Sequence, residues 1–154
     1  MSEPRLKYRQ LAPEGLAKMH ELEHYLNTGT HLERTLLELV RLRASLMNGC
    51  DYCVTLHTAE LQKNNETAER ISQVADWRSS EIYTKRERAA LAWTEAVTNI
   101  QEGHAPDVLY DEVRSHFNDV DTANLTLAIT TINAWNRLSI ALGTHSGRDA
   151  GGKA

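Results

Sequence analysis

The sequence predicts an all-α fold, a compact multi-helix bundle, and three observations carry that prediction. Apolar residues recur at spacings of three and four instead of alternating. Helix start and stop signals bracket each periodic stretch. The stretches are joined by short connections, as in a helical bundle, the longest running from Asp76 to Tyr83. With 154 residues, 41% of them hydrophobic, the chain fits a single domain.

Taken in order, the first helix follows Pro13, which suits a first turn, and carries Leu16, Met19, Leu22 and Leu26 until Gly29 stops it. A second runs from about Leu32 to Met47, with Leu36, Leu39, Val40, Leu42 and Leu46 apolar, and breaks at Asn48-Gly49. A third covers about residues 50–64 and ends at Asn64-Asn65. A short fourth spans Thr67 to Val74. Thr84-Lys85-Arg86-Glu87 has the spacing of a capping box, and Ala89 to Ile100 follows as a fifth helix, closed by Gly103. Pro106 opens a sixth, to about Phe117. The longest and most apolar begins near Asp121 and carries Leu125 through Leu142 to Gly143. Residues 1–144 thus form the helical domain, and 145–154 read as a flexible, polar, glycine-rich tail.

Charge and composition exclude several classes of function. With 17 basic against 21 acidic side chains, net −4 and the signs interspersed, no basic face is expected for nucleic acid or an anionic membrane. One Phe, five Tyr and three Trp are few for base-stacking platforms. No apolar run approaches the roughly 18–20 residues that span a bilayer, and the first ten residues lack a signal-type apolar stretch. A cytoplasmic protein is expected, and in that compartment two cysteines are not a disulfide framework.

Those cysteines, Cys50-Asp51-Tyr52-Cys53, are the first feature that asks for chemistry. On a helix, Cys50, Cys53 and His57 fall at i, i+3 and i+7 and share one stripe. Alpha carbons three apart on a helix lie about 5 Å from each other, within the window a disulfide needs, so the pair can open and close with little backbone movement. A helix start offers free N–H groups and a positive dipole end, both of which favour the reactive thiolate. His57, one turn on, can relay a proton or stabilise the anion. Glu38 interrupts the run Leu36-Leu37-Glu38-Leu39-Val40, on a helix that the Asn48-Gly49 turn folds back against the cysteines. Held among leucines, its carboxyl is expected to have a raised pKa and to act as a base near neutrality. Its plainer reading is a surface partner of Arg34 or Arg41.

Other readings stand beside this one. Cys50, Cys53 and His57 could hold zinc, although they leave it one ligand short, and two inert core cysteines are a further alternative. His20-Glu21-Leu22-Glu23-His24 matches H-E-x-x-H, but the chain offers no evident third ligand or substrate-binding sheet, so a solvated helix face is expected. His31, His104, His116 and His145 are isolated and expected to be exposed. Asn133, Asn136 and Arg137 lie inside an apolar helix and imply a buried hydrogen-bond network or a subunit interface.

Glu38, Cys50-x-x-Cys53 and His57, together with Arg86-Glu-Arg-Ala-Ala-Leu-Ala-Trp93-Thr-Glu95 and Ile132-Asn-Ala-Trp-Asn-Arg137, resemble the AhpD-like branch of the carboxymuconolactone decarboxylase superfamily over about residues 10–143. The resemblance implies a thiol-dependent alkyl hydroperoxide reductase, with Cys53 the more exposed attacking thiol and Cys50 its disulfide partner. Glu38 and His57 would then form a proton relay. It also implies a hydroperoxide substrate, a dithiol electron donor such as a lipoyl protein, assembly as trimers or hexamers, and no metal or tightly bound cofactor. Peroxidases of this branch carry a histidine where this chain has Tyr52, whose hydroxyl could hold water in the relay but titrates near pH 10. Slower peroxide turnover and a disulfide-reductase or redox-sensor role are the expected consequences. The alternative from another class is a non-enzymatic helical oligomer with redox-sensing or zinc-binding cysteines.

Overall fold

A periodicity of three and four becomes helix throughout the protein. Its structure, a computed structural model, describes residues 3–144, and among these no strand forms. The polar tail and His145 lie outside the described residues. The helices are α1 (Tyr8–Leu11), α2 (Pro13–Thr28), α3 (Arg34–Asn48), α4 (Asp51–Lys63), α5 (Ala68–Ser72), α6 (Lys85–Thr98), α7 (Asp107–His116) and α8 (Asp119–Leu142). A 3₁₀ segment, Gln73–Ser79, continues α5.

The seven periodic stretches are all present, with ends shifted by a few residues, and each shift has a local cause. Asn118 starts α8 ahead of Asp121 because its side chain accepts the Asp121 N–H at 2.8 Å. Thr84 and Glu87 exchange both bonds of the capping box, so α6 begins at Lys85, well before the apolar stretch at Ala89. Two elements went unforeseen. The first, α1, is one turn long and too short to show a period. The 3₁₀ segment occupies part of the expected connection after Asp76, because Trp77 buries its ring there, 2% exposed, and draws the backbone inward.

Helix α3 is the central element, packed on α4, α6 and α8. Leu36, Leu37 and Val40 enter one core cluster with Leu26, Trp93, Phe117, Leu125 and Ile129. Leu39 and Leu42 enter a second with Leu61, Val74, Trp77, Tyr83 and Leu91. Burying each such side chain contributes about 1.5–3 kcal/mol. A helix wrapped on both sides carries its polar residues inside as well, which is why Glu38 and Arg41 are each only 1% exposed.

The amides of α8 form an internal network. Asn48 donates to Asn133 and Asn136 at 2.9 Å each. Asn136 donates to Ser45 at 3.0 Å, and Asn133 donates to Thr98 at 2.9 Å. Arg137 donates to Asn133 at 2.7 Å. The expected hydrogen-bond network is present, with Asn133 and Asn136 buried and Arg137 exposed at its edge. It pins the end of α3 to α8 one residue before the turn that leads to the cysteines.

Candidate active site

The turn between α3 and α4 presents the cysteine pair. Gly49 takes a left-handed conformation, φ 69°, and ends α3 with its N–H on Leu46 O at 3.3 Å while Cys50 N–H reaches Ser45 O at 3.0 Å. Cys50 is at the same time the N-cap of α4, its Sγ accepting the Cys53 N–H at 3.3 Å. One residue therefore closes one helix and opens the next. Cys50 and Cys53 form a disulfide with alpha carbons 5.3 Å apart.

A cavity of about 300 Å³ opens beside the pair, and Cys53, but not Cys50, lines it. The sulfur residues are otherwise alike in burial, at 1% for Cys50 and 3% for Cys53, so the expected greater exposure of Cys53 is a matter of which one faces the cavity. Glu38 and His57 line the same cavity. The short α3–α4 connection makes the two helices antiparallel neighbours, which brings His57 Nδ1 to 2.7 Å from Glu38 Oε2. Tyr52 stands 53% exposed at the rim, and no hydrogen bond joins it to Glu38 or His57.

The electrostatics of Glu38 correct the sequence expectation. Burial by itself pushes its carboxyl up, but the His57 hydrogen bond, the Arg41 and His57 charges and the Arg41 hydrogen bond together outweigh it, and the net direction is down. Arg41 Nη1 donates to Glu38 Oε1 at 2.7 Å and to Asn27 at 2.8 Å, while Nη2 pairs with Glu23 at 2.8 Å. Arg34 lies 3.4 Å from the same Glu38 oxygen. Glu38 is thus not a neutral acid in a leucine pocket; it has both expected arginine partners, Arg34 and Arg41, but is a buried anion and not a surface one. An ionised carboxylate only accepts, so the short contact requires a proton on His57 Nδ1, and in the neutral ring the basic lone pair then sits on Nε2.

Sequence reasoning names Arg41 only as a surface partner of Glu38 and passes over Asn27. Arg41 carried a signal, since a second charge three residues after Glu38 in the same apolar run needs a buried partner. Glu23 was assigned to a solvated face, yet it lines the cavity, as does His20, whose ring lies 5.0 Å from that of Trp135. Among the described residues no group of three or more His, Cys, Asp or Glu is arranged to hold a metal ion. His31 and His104 are exposed as expected, whereas His116 is half-buried beside Glu112 at 3.4 Å. The last helix contributes Ile132, Trp135 and Ser139 to the cavity wall.

A helical hairpin with a Cys-x-x-Cys disulfide at its seam and a buried Glu–His pair behind it places the chain in a class. It belongs to the Carboxymuconolactone decarboxylase family, whose model matches residues 13–96, a stretch that carries Glu38, Cys50, Cys53 and His57. Among individual proteins, it is 39% identical over 142 residues to the uncharacterized protein YdfG of Bacillus subtilis (strain 168), covering 92% of this chain and 96% of that one. Its fold is similar to the crystal structure of ATU0492 from Agrobacterium tumefaciens, a protein of unknown function described provisionally as an antioxidant defence protein AhpD. That match has a TM-score of 0.88 and 37% identity over 93% of this chain and 98% of the other. An uncharacterized peroxidase-related protein from Silicibacter sp. TM1040 shares the fold, with a TM-score of 0.75 and 21% identity over 84% and 68% of the two chains.

Proposed function

We propose that the protein is a thiol-dependent hydroperoxide reductase of AhpD-like type, working through the Cys50–Cys53 pair. The observation that carries this reading is the disulfide at the start of α4, with Cys53 and His57 lining one cavity and Glu38 hydrogen-bonded to His57. In the reduced protein His57 Nε2 takes the Cys53 proton. The thiolate attacks the terminal oxygen of the hydroperoxide, the O–O bond breaks, and its electron pair leaves on an alkoxide that His57 protonates to an alcohol. Cys53 is left as a sulfenic acid. The Cys50 thiol attacks that sulfur, the S–S bond forms, and water departs with the thiol proton.

A dithiol donor, such as a lipoyl group, then supplies two electrons and two protons. One donor thiol attacks Cys53 from the cavity and expels Cys50, whose developing thiolate already accepts the Cys53 N–H; the second donor thiol then attacks the first donor sulfur, releases Cys53 and leaves the donor as its own disulfide. Glu38 is a positioning residue in this scheme, holding the His57 tautomer and stabilising its imidazolium. Tyr52 is a rim contact for substrate. No helix among the described residues is long and apolar enough to cross a membrane. The working form is a cytoplasmic homo-oligomer, a trimer or hexamer, as in AhpD-like relatives.

The test is thiol counting by mass spectrometry on the reduced protein, alkylated before and after a small excess of organic hydroperoxide. Both thiols should be lost to one Cys50–Cys53 disulfide and restored by a lipoyl dithiol, and Cys53→Ser should consume no peroxide. Thiols that survive the hydroperoxide, or undiminished consumption by Cys53→Ser, sink the reading.

A further inference from the structure

Most of the ionised side chains around the cavity neutralise one another. Arg41 pairs with Glu38 and Glu23, Arg34 with Glu38 and with Glu60 at 3.5 Å, and Glu60 with Lys63 at 2.9 Å. Arg9, on α1, is the exception: it lines the same cavity, and among the described residues it has no carboxylate partner. Its guanidinium carbon lies 5.4 Å from the Tyr8 ring centroid and 5.8 Å from those of Tyr52 and Trp135. Rings steady the cation but take up none of its N–H donors as a carbonyl or carboxylate would.

The turn that carries Arg9 is itself anchored. Leu6 N–H donates to Leu142 O at 3.0 Å, Arg5 donates to Ala141 O at 3.3 Å, and Tyr8 is buried. A guanidinium held in place before the ligand arrives loses little freedom on binding an anion, and its planar fork matches a carboxylate. Leu56, Ile132, Trp135 and the Tyr52 ring are the apolar members of the cavity lining, and the Tyr52 and Trp135 rings are the two that stand beside the Arg9 guanidinium.

We propose that Arg9 selects the substrate: the cavity takes a hydroperoxide with an apolar, ring-sized body and a carboxylate at the far end, and Arg9 binds that carboxylate. The inference rests on the cavity being the substrate site of the reductase proposed above. It assigns the anion to the hydroperoxide and not to the dithiol donor.

The experiment pairs cumene hydroperoxide bearing a ring carboxylate with its methyl ester, in single-turnover oxidation of the reduced protein, so that the donor takes no part. The acid should react about tenfold or more faster than the ester, the scale of one charge-assisted hydrogen bond. In Arg9→Gln that ratio should fall to about one, and Arg9→Lys should keep the acid ahead. A ratio near one in the unmodified protein, or a ratio that Arg9→Gln leaves unmoved, overturns the proposal. A second arm measures binding of the corresponding alcohols, acid against ester, to Cys53→Ser by calorimetry. If no hydroperoxide oxidises the thiols, the reductase reading falls, and this arm alone decides Arg9: tighter binding of the acid, abolished by Arg9→Gln, supports it, and equal affinities refute it.

Discussion

Glu38 shows that burial does not by itself set the state of a carboxyl group. Its neighbours along the chain are leucines and a valine, which pointed to a neutral acid, but the groups that reach it across space are His57, Arg41 and Arg34. Position within the apolar run was legible in the sequence; the sign of the pKa shift was not, because it depends on which cations the fold turns toward the carboxyl. A consequence for stability follows with a definite sign. The folded protein holds Glu38 below its ordinary value of 4.5, so the stability it contributes is fully present above that pH and is lost as the pH falls through the lower folded value. Glu38→Gln should cost about 3 kcal/mol near neutrality, since it leaves part of the buried Arg41 charge uncompensated. Melting curves from pH 7 down to 3 should show the gap between the two proteins narrowing on acidification. A gap that stays constant would mean that Glu38 is not an anion in the fold.

The α3–α4 hairpin was the most legible element, because its turn is written as Asn48-Gly49 and its chemistry as cysteines and histidine in one helical register. The boundaries set by caps were legible where the capping side chain stands in an obvious pattern, as at Thr84, and less so at Asn118. Helix α1 and the 3₁₀ segment are held by contacts that no local pattern announces: Leu6, just ahead of α1, bonds to Leu142, and Trp77 is buried in a cluster with Leu39, Leu61 and Leu91. The same dependence hid Arg9, whose role exists only once α1 is laid against α8. At Gly49 an added Cβ would meet nothing within 4 Å, but φ is 69°, so Gly49→Ala carries backbone strain without a clash. It should lower stability by about 1–2 kcal/mol in chemical denaturation while the disulfide still forms. A neutral result would show that the turn relaxes to another conformation without loss.

For the molecule as a whole, the redox pair is a local event. The disulfide joins residues three apart in sequence, and closing so short a loop restrains the unfolded chain little, by about 2 kcal/mol on the chain-entropy account. Reduction should therefore leave the helical circular dichroism unchanged and lower Tm by no more than about 8 °C. A larger fall, or loss of helix, would make the bond structural instead of catalytic. One further property is topological. The strand of chain before α1 hydrogen-bonds to the end of α8, Leu6 to Leu142 and Arg5 to Ala141, so the described backbone comes close to a closed ring. The order in which the helices are synthesised is then partly arbitrary: a circular permutant opened at the exposed Asn64-Asn65 turn and sealed across the two ends keeps the cysteine hairpin uninterrupted, and keeps Arg9 beside it.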